Sequence, residues 1–187
     1  FGFAYGEKEN GAVFSHMAVM YANALYKRGF IKEGYKVLKN LLDSAMDFEN
    51  SIMYPGIPEY FDNDGRGLYA YLTGAASWYM LTMITEVFGV RGELGNLVIK
   101  PALLPEQFDK DGKAAIKLNF SGRTLKITIH ADIDNIQDNN GVYNKIIRVE
   151  CDGNELESAD LKKVVIMKKR IEEMSCGRCH EIDVFIK

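Results

Sequence analysis

Long hydrophobic runs are missing from this sequence, and no stretch has the length of a bilayer-spanning helix. Charge of one sign is not in excess either. A formal net charge of −3 gives no electrostatic case for binding nucleic acid or an anionic membrane surface. Cysteine is scarce, with three in 187 residues, so the framework is expected to be a packed core and not a set of disulfides. Internal repeats and low-complexity segments are absent, and no charged-then-apolar leader precedes the first helical pattern. Cytoplasmic placement is the expectation. The first residue is not methionine and the opening "FGFAYGEKENG" reads as the inside of a loop, so the chain is expected to be a piece of a longer polypeptide.

What is present is a globular composition, 47% hydrophobic and 11% aromatic, enough to bury a core in one or two domains. The pattern changes once along the chain. Val13, Met17, Met20, Tyr21, Ala24 and Leu25 keep helical spacing, and "KRGF" supplies a basic last turn and a terminating glycine. Ile31, Tyr35, Leu38, Leu41, Leu42 and Ala45 repeat the spacing in a second helix, about 31–45. A long irregular stretch follows, 47–72, holding Pro55, Gly56, Pro58, Gly65 and Gly67. Its aromatics (Tyr54, Tyr60, Phe61, Tyr69, Tyr71) argue for order. A third helix, about 74–88, is apolar on nearly all sides, as in the inner layer of a helical array.

Beyond "GVRGELGN" the pattern becomes strand-like. "NLVIKP", "AAIKLNF", "TLKITIHAD", "NKIIRVEC", "KKVVIMK" and "EIDVFIK" are short β-branched runs between Gly, Asn and Asp turns, which suggests an antiparallel sandwich. "VRGELG" and the "DNN" before Gly141 read as turns or linkers. The expected division is a helical domain over 1–92 and a β domain over 93–187.

Three features could carry chemistry. "CGRCH" (Cys176 to His180) matches the c-type haem attachment pattern. Attachment needs export, a second axial ligand and a helical pocket, whereas this motif is expected at a hairpin before the last strand. A zinc site that adds Cys151 lacks a convincing fourth ligand. The motif therefore reads as reduced thiols in a turn, with no metal. The loop "PEYFDNDGRG" offers Glu59, Asp62 and Asp64. Paired carboxylates suit glycoside hydrolysis, and the neighbouring aromatics suit sugar stacking. The competing reading is a solvated loop with Asx-turns. The third feature is His16, in the first turns of the first helix, together with Thr73-Gly74 opening the third. Thr73 is a natural N-cap, and small residues after it leave helix amides open to an anion. Ordinary capping and a satisfied core histidine are the alternative.

"KENGAVFSH", "PEYF", "YLTGAASW", "TEVFGVRGELGNLVIKPAL" and "FSGRTLKI" follow one another in order. Together they resemble the C-terminal part of a glycoside phosphorylase of the cellobiose phosphorylase type, glycoside hydrolase family 94. The resemblance covers residues 5 to about 130. It implies the last helices of an (α/α)6 barrel followed by an antiparallel jelly-roll-like β-sandwich. The implied reaction is inverting phosphorolysis, in which a β-linked glucobiose or oligoglucan plus phosphate gives α-glucose 1-phosphate. Inorganic phosphate is a co-substrate and no cofactor is required.

By motif, His16, Thr73 and Gly74 match phosphate-binding positions. Lys8 matches a position near the acceptor sugar, with Glu9 in the same motif. Glu59 matches an acidic loop residue, although here Pro58 precedes it instead of a proline following it. The family's general acid, an aspartate, is expected upstream, so no catalytic residue is assigned here and the fragment alone is expected to be inactive. A homodimer is an assembly left open. Two other readings stand beside this one: an inverting hydrolase on the same barrel, and a non-catalytic carbohydrate-binding module.

Overall fold

The computed structural model describes residues 2–54, 56–70, 74–131, 145–156 and 162–187. The expected turn at "DNN" before Gly141 and the cap at Thr73 lie outside the described residues. The chain forms two compact units, Phe1–Met83 and Ile84–Lys187. Helices come first and small, mostly antiparallel sheets follow.

In the first unit a two-residue strand β1 (Val13–Phe14) runs directly into helix α1 (Ser15–Lys27). The helix stops where the sequence says it should. Gly29 takes a left-handed φ of 84°, its amide donates to the Tyr26 carbonyl, and the Phe30 amide reaches back to Leu25. That pattern is a Schellman cap, and glycine suits it because it lacks a Cβ. Helix α2 (Ile31–Met46) then returns along α1. It buries Ile31, Gly34, Leu38, Leu41 and Ala45, close to the stripe its spacing predicts. Gly34 sits at the crossing. A Cβ there would come within 2.6 Å of the Tyr26 ring and 3.2 Å of the Ala22 carbonyl oxygen.

Helix α1 is a correction to the sequence expectation. Its buried face is Ser15, Val19, Ala22, Asn23 and Tyr26, whereas Val13, Met17, Met20 and Tyr21 of the apolar stripe are exposed. The buried polar residue has a partner: Asn23 Nδ2 donates to Thr82 Oγ1 at 3.1 Å. Thr82 ends helix α4 (Gly74–Thr82), which continues as a π-helical turn, Met83–Val87. The expected all-round burial of this helix is not met, since Met80 and Leu81 are exposed.

The irregular stretch is partly structured. It contains helix α3 (Phe48–Ser51), capped by the Asp47 carboxylate, and strands β2 (Tyr60–Phe61) and β3 (Gly67–Leu68). The sheet order is β1-β2-β3, antiparallel throughout.

The second unit opens on a strand that glycine and charge conceal in the sequence. β4 (Val90–Glu93) pairs with β5 (Asn96–Ile99) across Leu94-Gly95. Both loop residues have positive φ, 52° and 85°, which is the twist a two-residue hairpin needs. β6 (Lys113–Phe120) and β7 (Arg123–Ala131) join through Ser121-Gly122 in the same way, and β8 (Ile146–Cys151) and β9 (Asn154–Glu155) through Asp152-Gly153. β10 (Val164–Ile166) pairs with β5, and a short helix α5 (Lys168–Glu173) that the strand pattern did not predict precedes β11 (Cys179–Ile186). The larger sheet has the order β6-β7-β11-β8-β9. It is not wholly antiparallel: β11 enters its centre parallel to β7. The final strand returns by a long crossover, not a hairpin, and so takes the direction of β7. His180, Ile182, Val184 and Ile186 turn inward from it.

One ionic cluster fixes both ends of β11's entry. His180 is 1% exposed, with Nδ1 at 2.7 Å from Asp152 Oδ2 and Nε2 at 3.0 Å from the Ser175 carbonyl. Each ring nitrogen thus has a polar partner, which fixes the ring between the β8–β9 turn and the turn before β11. The Arg178 guanidinium, 2.6 Å from the same carboxylate oxygen, lies farther from Nδ1 at 3.4 Å. The other Asp152 oxygen accepts the Glu181 amide at 3.0 Å.

Two outcomes test this packing. Gly34→Val overpacks the α1–α2 crossing and should cost about 1–3 kcal/mol in urea unfolding. For Asp152, burial alone would raise its pKa, but the His180 and Glu181 hydrogen bonds and the two cations hold it below the ordinary 3.8. A depressed folded value means its stabilisation is present above that pH and is lost as pH falls through the folded pKa. Asp152→Asn should therefore lower stability at neutral pH and shrink the acid-dependent loss below pH 3.8 in pH-resolved thermal melts.

Candidate functional site

The candidate site lies where helices α1 and α4 begin. His16 is the second residue of α1, and Gly74 is the first of α4. The imidazole lies directly on the glycine: a Cβ at Gly74 would come within 2.6 Å of both His16 Nδ1 and Nε2. Seven residues further along α1 and eight further along α4, Asn23 meets Thr82. Contacts at matching distances from both starts mean that the helices run parallel and begin at the same end. Two positive dipole ends thus converge beside His16. The Trp78 ring, one turn into α4, stands 5.9 Å from the imidazole. Among the described residues His16 Nε2 is buried with no hydrogen-bond partner, and so is the hydroxyl of Ser15, a residue with no exposed surface. Unpaired buried polar atoms are rare in proteins, because each costs about 1–3 kcal/mol.

The loops beside this pair are stitched together by backbone bonds. Ser15 donates its amide to the Glu59 carbonyl at 2.9 Å, and the Glu59 amide donates to the Tyr69 carbonyl at 3.1 Å. Tyr60 is buried between Phe14 and Tyr69, at ring distances of 5.5 and 5.6 Å. Burial pushes the Tyr60 hydroxyl up, and the neighbouring Tyr69, Glu7 and Glu59 reinforce this against Lys8. Lys8 has a left-handed backbone (φ 41°), as does Tyr69 (φ 64°). Its ammonium sits 4.9 Å from the Tyr69 ring centre and 5.3 Å from that of Phe3, within cation–π range. Two non-glycine residues in this sparsely populated region, touching each other, are a form of strain that collects at functional sites.

Lys8 and Glu59 are thus brought to one neighbourhood around Tyr60. Glu9 is exposed and makes no hydrogen bond or ion pair among the described residues. Asp62 is occupied by its own turn, where its Oδ1 accepts the amides of Asp64 and Arg66 at 3.0 and 2.9 Å. That is the Asx-turn reading of the acidic loop, and it removes one carboxylate from the hydrolytic pair. Tyr60 and Tyr69 were named only among the aromatics of the loop, and Glu7 and Trp78 were not singled out by the sequence. Trp78 had a signal, being four residues beyond Gly74 and so on the same helix face.

"CGRCH" spans the turn that follows α5 and the first two residues of β11, a helix-to-strand turn and not a hairpin. Cys176 and Cys179 are exposed and Cys151 is buried. Both nitrogens of His180 are engaged, so it could ligate haem or zinc only by giving up Asp152 or Ser175. Among the described residues no group of three or more His, Cys, Asp or Glu side chains is placed to hold a metal ion.

The starts of two helices thus meet at His16, beside an aromatic cluster with two left-handed backbones. No family profile matches the chain. It is 26% identical over 139 residues to the cellobionic acid phosphorylase of Neurospora crassa, an alignment covering 67% of this chain. The chain spans only 17% of that protein's length. It is a distant, partial relative of the family-94 glycoside phosphorylases.

The close approach at Gly74 has a spectroscopic consequence. Trp78 is the single tryptophan and its ring is 5.9 Å from the imidazole, so its emission reports on the position of His16. His16→Ala and Gly74→Val should each change the wavelength or yield of that emission, and Glu9→Ala should leave it unchanged. Equal spectra for all three variants would mean that the ring does not lie on the glycine.

Proposed function

We propose that this chain is the C-terminal part of an inverting glycoside phosphorylase acting on a β-linked glucobiose or short oligoglucan. The observation that carries the reading is the meeting of His16 with Gly74 at the starts of two parallel helices. Parallel α1 and α4 with α2 running back is the repeat that builds an α/α barrel, and the sheets after residue 83 take the place of the family's jelly-roll-like domain.

In this reading the phosphate lies over the start of α4. The amides of the first turn and the Thr73 hydroxyl donate to its oxygens, and His16 Nε2 donates from α1. The small side chains at Gly74, Ala75 and Ala76 leave the approach open. A phosphate oxygen then attacks the anomeric carbon from the face opposite the leaving sugar, which inverts the centre to α-glucose 1-phosphate. Because phosphate is already an anionic nucleophile, no second carboxylate is needed to activate water. One general acid suffices, and it is an aspartate upstream of these residues. Glu59, Asp62 and Asp64 are not assigned that role. Lys8, Glu9 and Glu59 line the sugar side, where the aromatic cluster around Tyr60 gives ring faces to stack against. Residues 1–187 without the upstream acid should not phosphorolyse any β-glucobiose.

A hydrolase on the same barrel would turn over without phosphate, so phosphate dependence separates the two. The cradle itself is tested in the complete enzyme by varying phosphate and disaccharide independently. Loss of a charge-assisted or helix-terminal hydrogen bond to an anion costs about 1.5–3 kcal/mol. His16→Ala and Thr73→Val should each raise the apparent constant for phosphate roughly ten- to a hundredfold, with much smaller effects on disaccharide. Gly74→Val should be at least as damaging. An unchanged phosphate constant with a raised disaccharide constant would assign these residues to the sugar instead.

A further inference from the structure

Cys176 and Cys179 have no role in the phosphate reading, yet their placement is specific. Both thiols are exposed, while the third cysteine, Cys151, is buried and its pKa is raised by that burial. Between the two exposed thiols the chain does not run straight. Gly177 takes a left-handed φ of 86°, and the backbone bends at Arg178 before β11 begins. The space around the turn is open, since a Cβ at Gly177 would meet nothing within 4 Å. Glycine can exchange left- and right-handed conformations at little cost, so the turn can close to the Cα separation of about 4.4–6.8 Å that a disulfide needs.

The two ends of the turn differ in freedom. Cys179 is fixed, because it pairs with Thr124 in the sheet and both of its neighbours, Arg178 and His180, are held by Asp152. Cys176 is outside the sheet, directly after Met174 and Ser175, whose carbonyls accept from Arg123 Nε and His180 Nε2. Drawing Cys176 toward Cys179 therefore acts directly on the Ser175 carbonyl. Ser175, Arg178, His180 and Asp152, though neither Cys176 nor Cys179, line a cavity of about 540 Å³ with Arg170, Glu173 and Met174.

We propose that Cys176 and Cys179 are a reversible dithiol–disulfide pair whose oxidation state is transmitted to the His180–Asp152 hydrogen bond through the Ser175 carbonyl. The oxidant is a small-molecule disulfide. One cysteine sulfur attacks it, breaking its S–S bond, releasing one thiol and leaving a mixed disulfide. The second cysteine sulfur attacks the mixed disulfide, the Cys176–Cys179 bond forms, and the second small thiol leaves. Two electrons pass from the cysteines to the reagent, and the two thiol protons end on the released thiols.

The test equilibrates the protein with glutathione and glutathione disulfide at graded ratios, followed by alkylation and peptide mass analysis. The expected product is one peptide, two hydrogens lighter, in which both cysteines resist alkylation. Its amount should follow a single midpoint, reverse with a dithiol reductant and cut alkylation of the pair about tenfold or more. Cys151 should become reactive only on unfolding. Cys176→Ser and Cys179→Ser should each stop at a glutathione adduct. The second arm is the imidazole NMR signals of His180, which should move on oxidation of the parent protein and stay fixed in the double serine variant under the same oxidant. Adducts or intermolecular dimers without the closed peptide in the parent protein would overturn the pair. Closure with unmoved His180 signals would overturn the transmission.

Discussion

The approach of His16 to Gly74 is the contact on which the arrangement of the first unit's helix starts depends. A histidine ring can lie on a helix backbone only where the helix residue has no Cβ, and here the glycine is the first residue of α4. The same contact sets the spacing of the two helix starts. Asn23 and Thr82 hold the other end with a buried side-chain hydrogen bond, worth about 1 kcal/mol net but costly to half-remove. Between those two points α1 and α4 are held parallel, an arrangement that places two like dipole ends side by side. The buried Nε2 of His16, without a hydrogen-bond partner among the described residues, lies beside those two ends.

The second unit solves a different problem with a similar economy. Its last strand must enter the middle of a sheet already begun, and Asp152 anchors that entry. The residue supplies a left-handed position in the β8–β9 turn, a carboxylate for His180 and Arg178, and an acceptor for the Glu181 amide. Buried ion pairs are weak contributors when compared with apolar replacements, but removing one partner leaves the other uncompensated. The cluster therefore contributes more to where β11 starts than to total stability. This explains how a histidine in a haem-like motif can be wholly structural.

Much of this fold was legible, and the failures share one cause. Helix and strand periods located α1, α2, α4 and the longer strands, because each carries its own apolar pattern. Which side of α1 faces inward was not legible. The stripe of Met17, Met20 and Tyr21 is the more apolar side, but the face that packs is the one whose small residues, Ala22 and Ser15, permit close approach and whose Asn23 finds Thr82 fifty-nine residues away. A local window cannot contain that partner. β4 was hidden because its hairpin uses Leu94-Gly95, where leucine gives none of the turn signal that Asp152-Gly153 gives. At the site, His16 and Gly74 came from ordered motifs, whereas Tyr60, Tyr69 and Glu7 are joined only through backbone pairing of β1, β2 and the loops around them.

Met17, Met20 and Tyr21 on α1, with Met80 and Leu81 on α4, leave two parallel helices each with an apolar side open to water. Local periodicity ranks side chains by how apolar they are, whereas packing also requires that two helix axes approach closely. On α1 those demands fall on different sides. The small residues Ser15 and Ala22 and the Asn23–Thr82 bond select the packed face, and the larger apolar residues are left on the other.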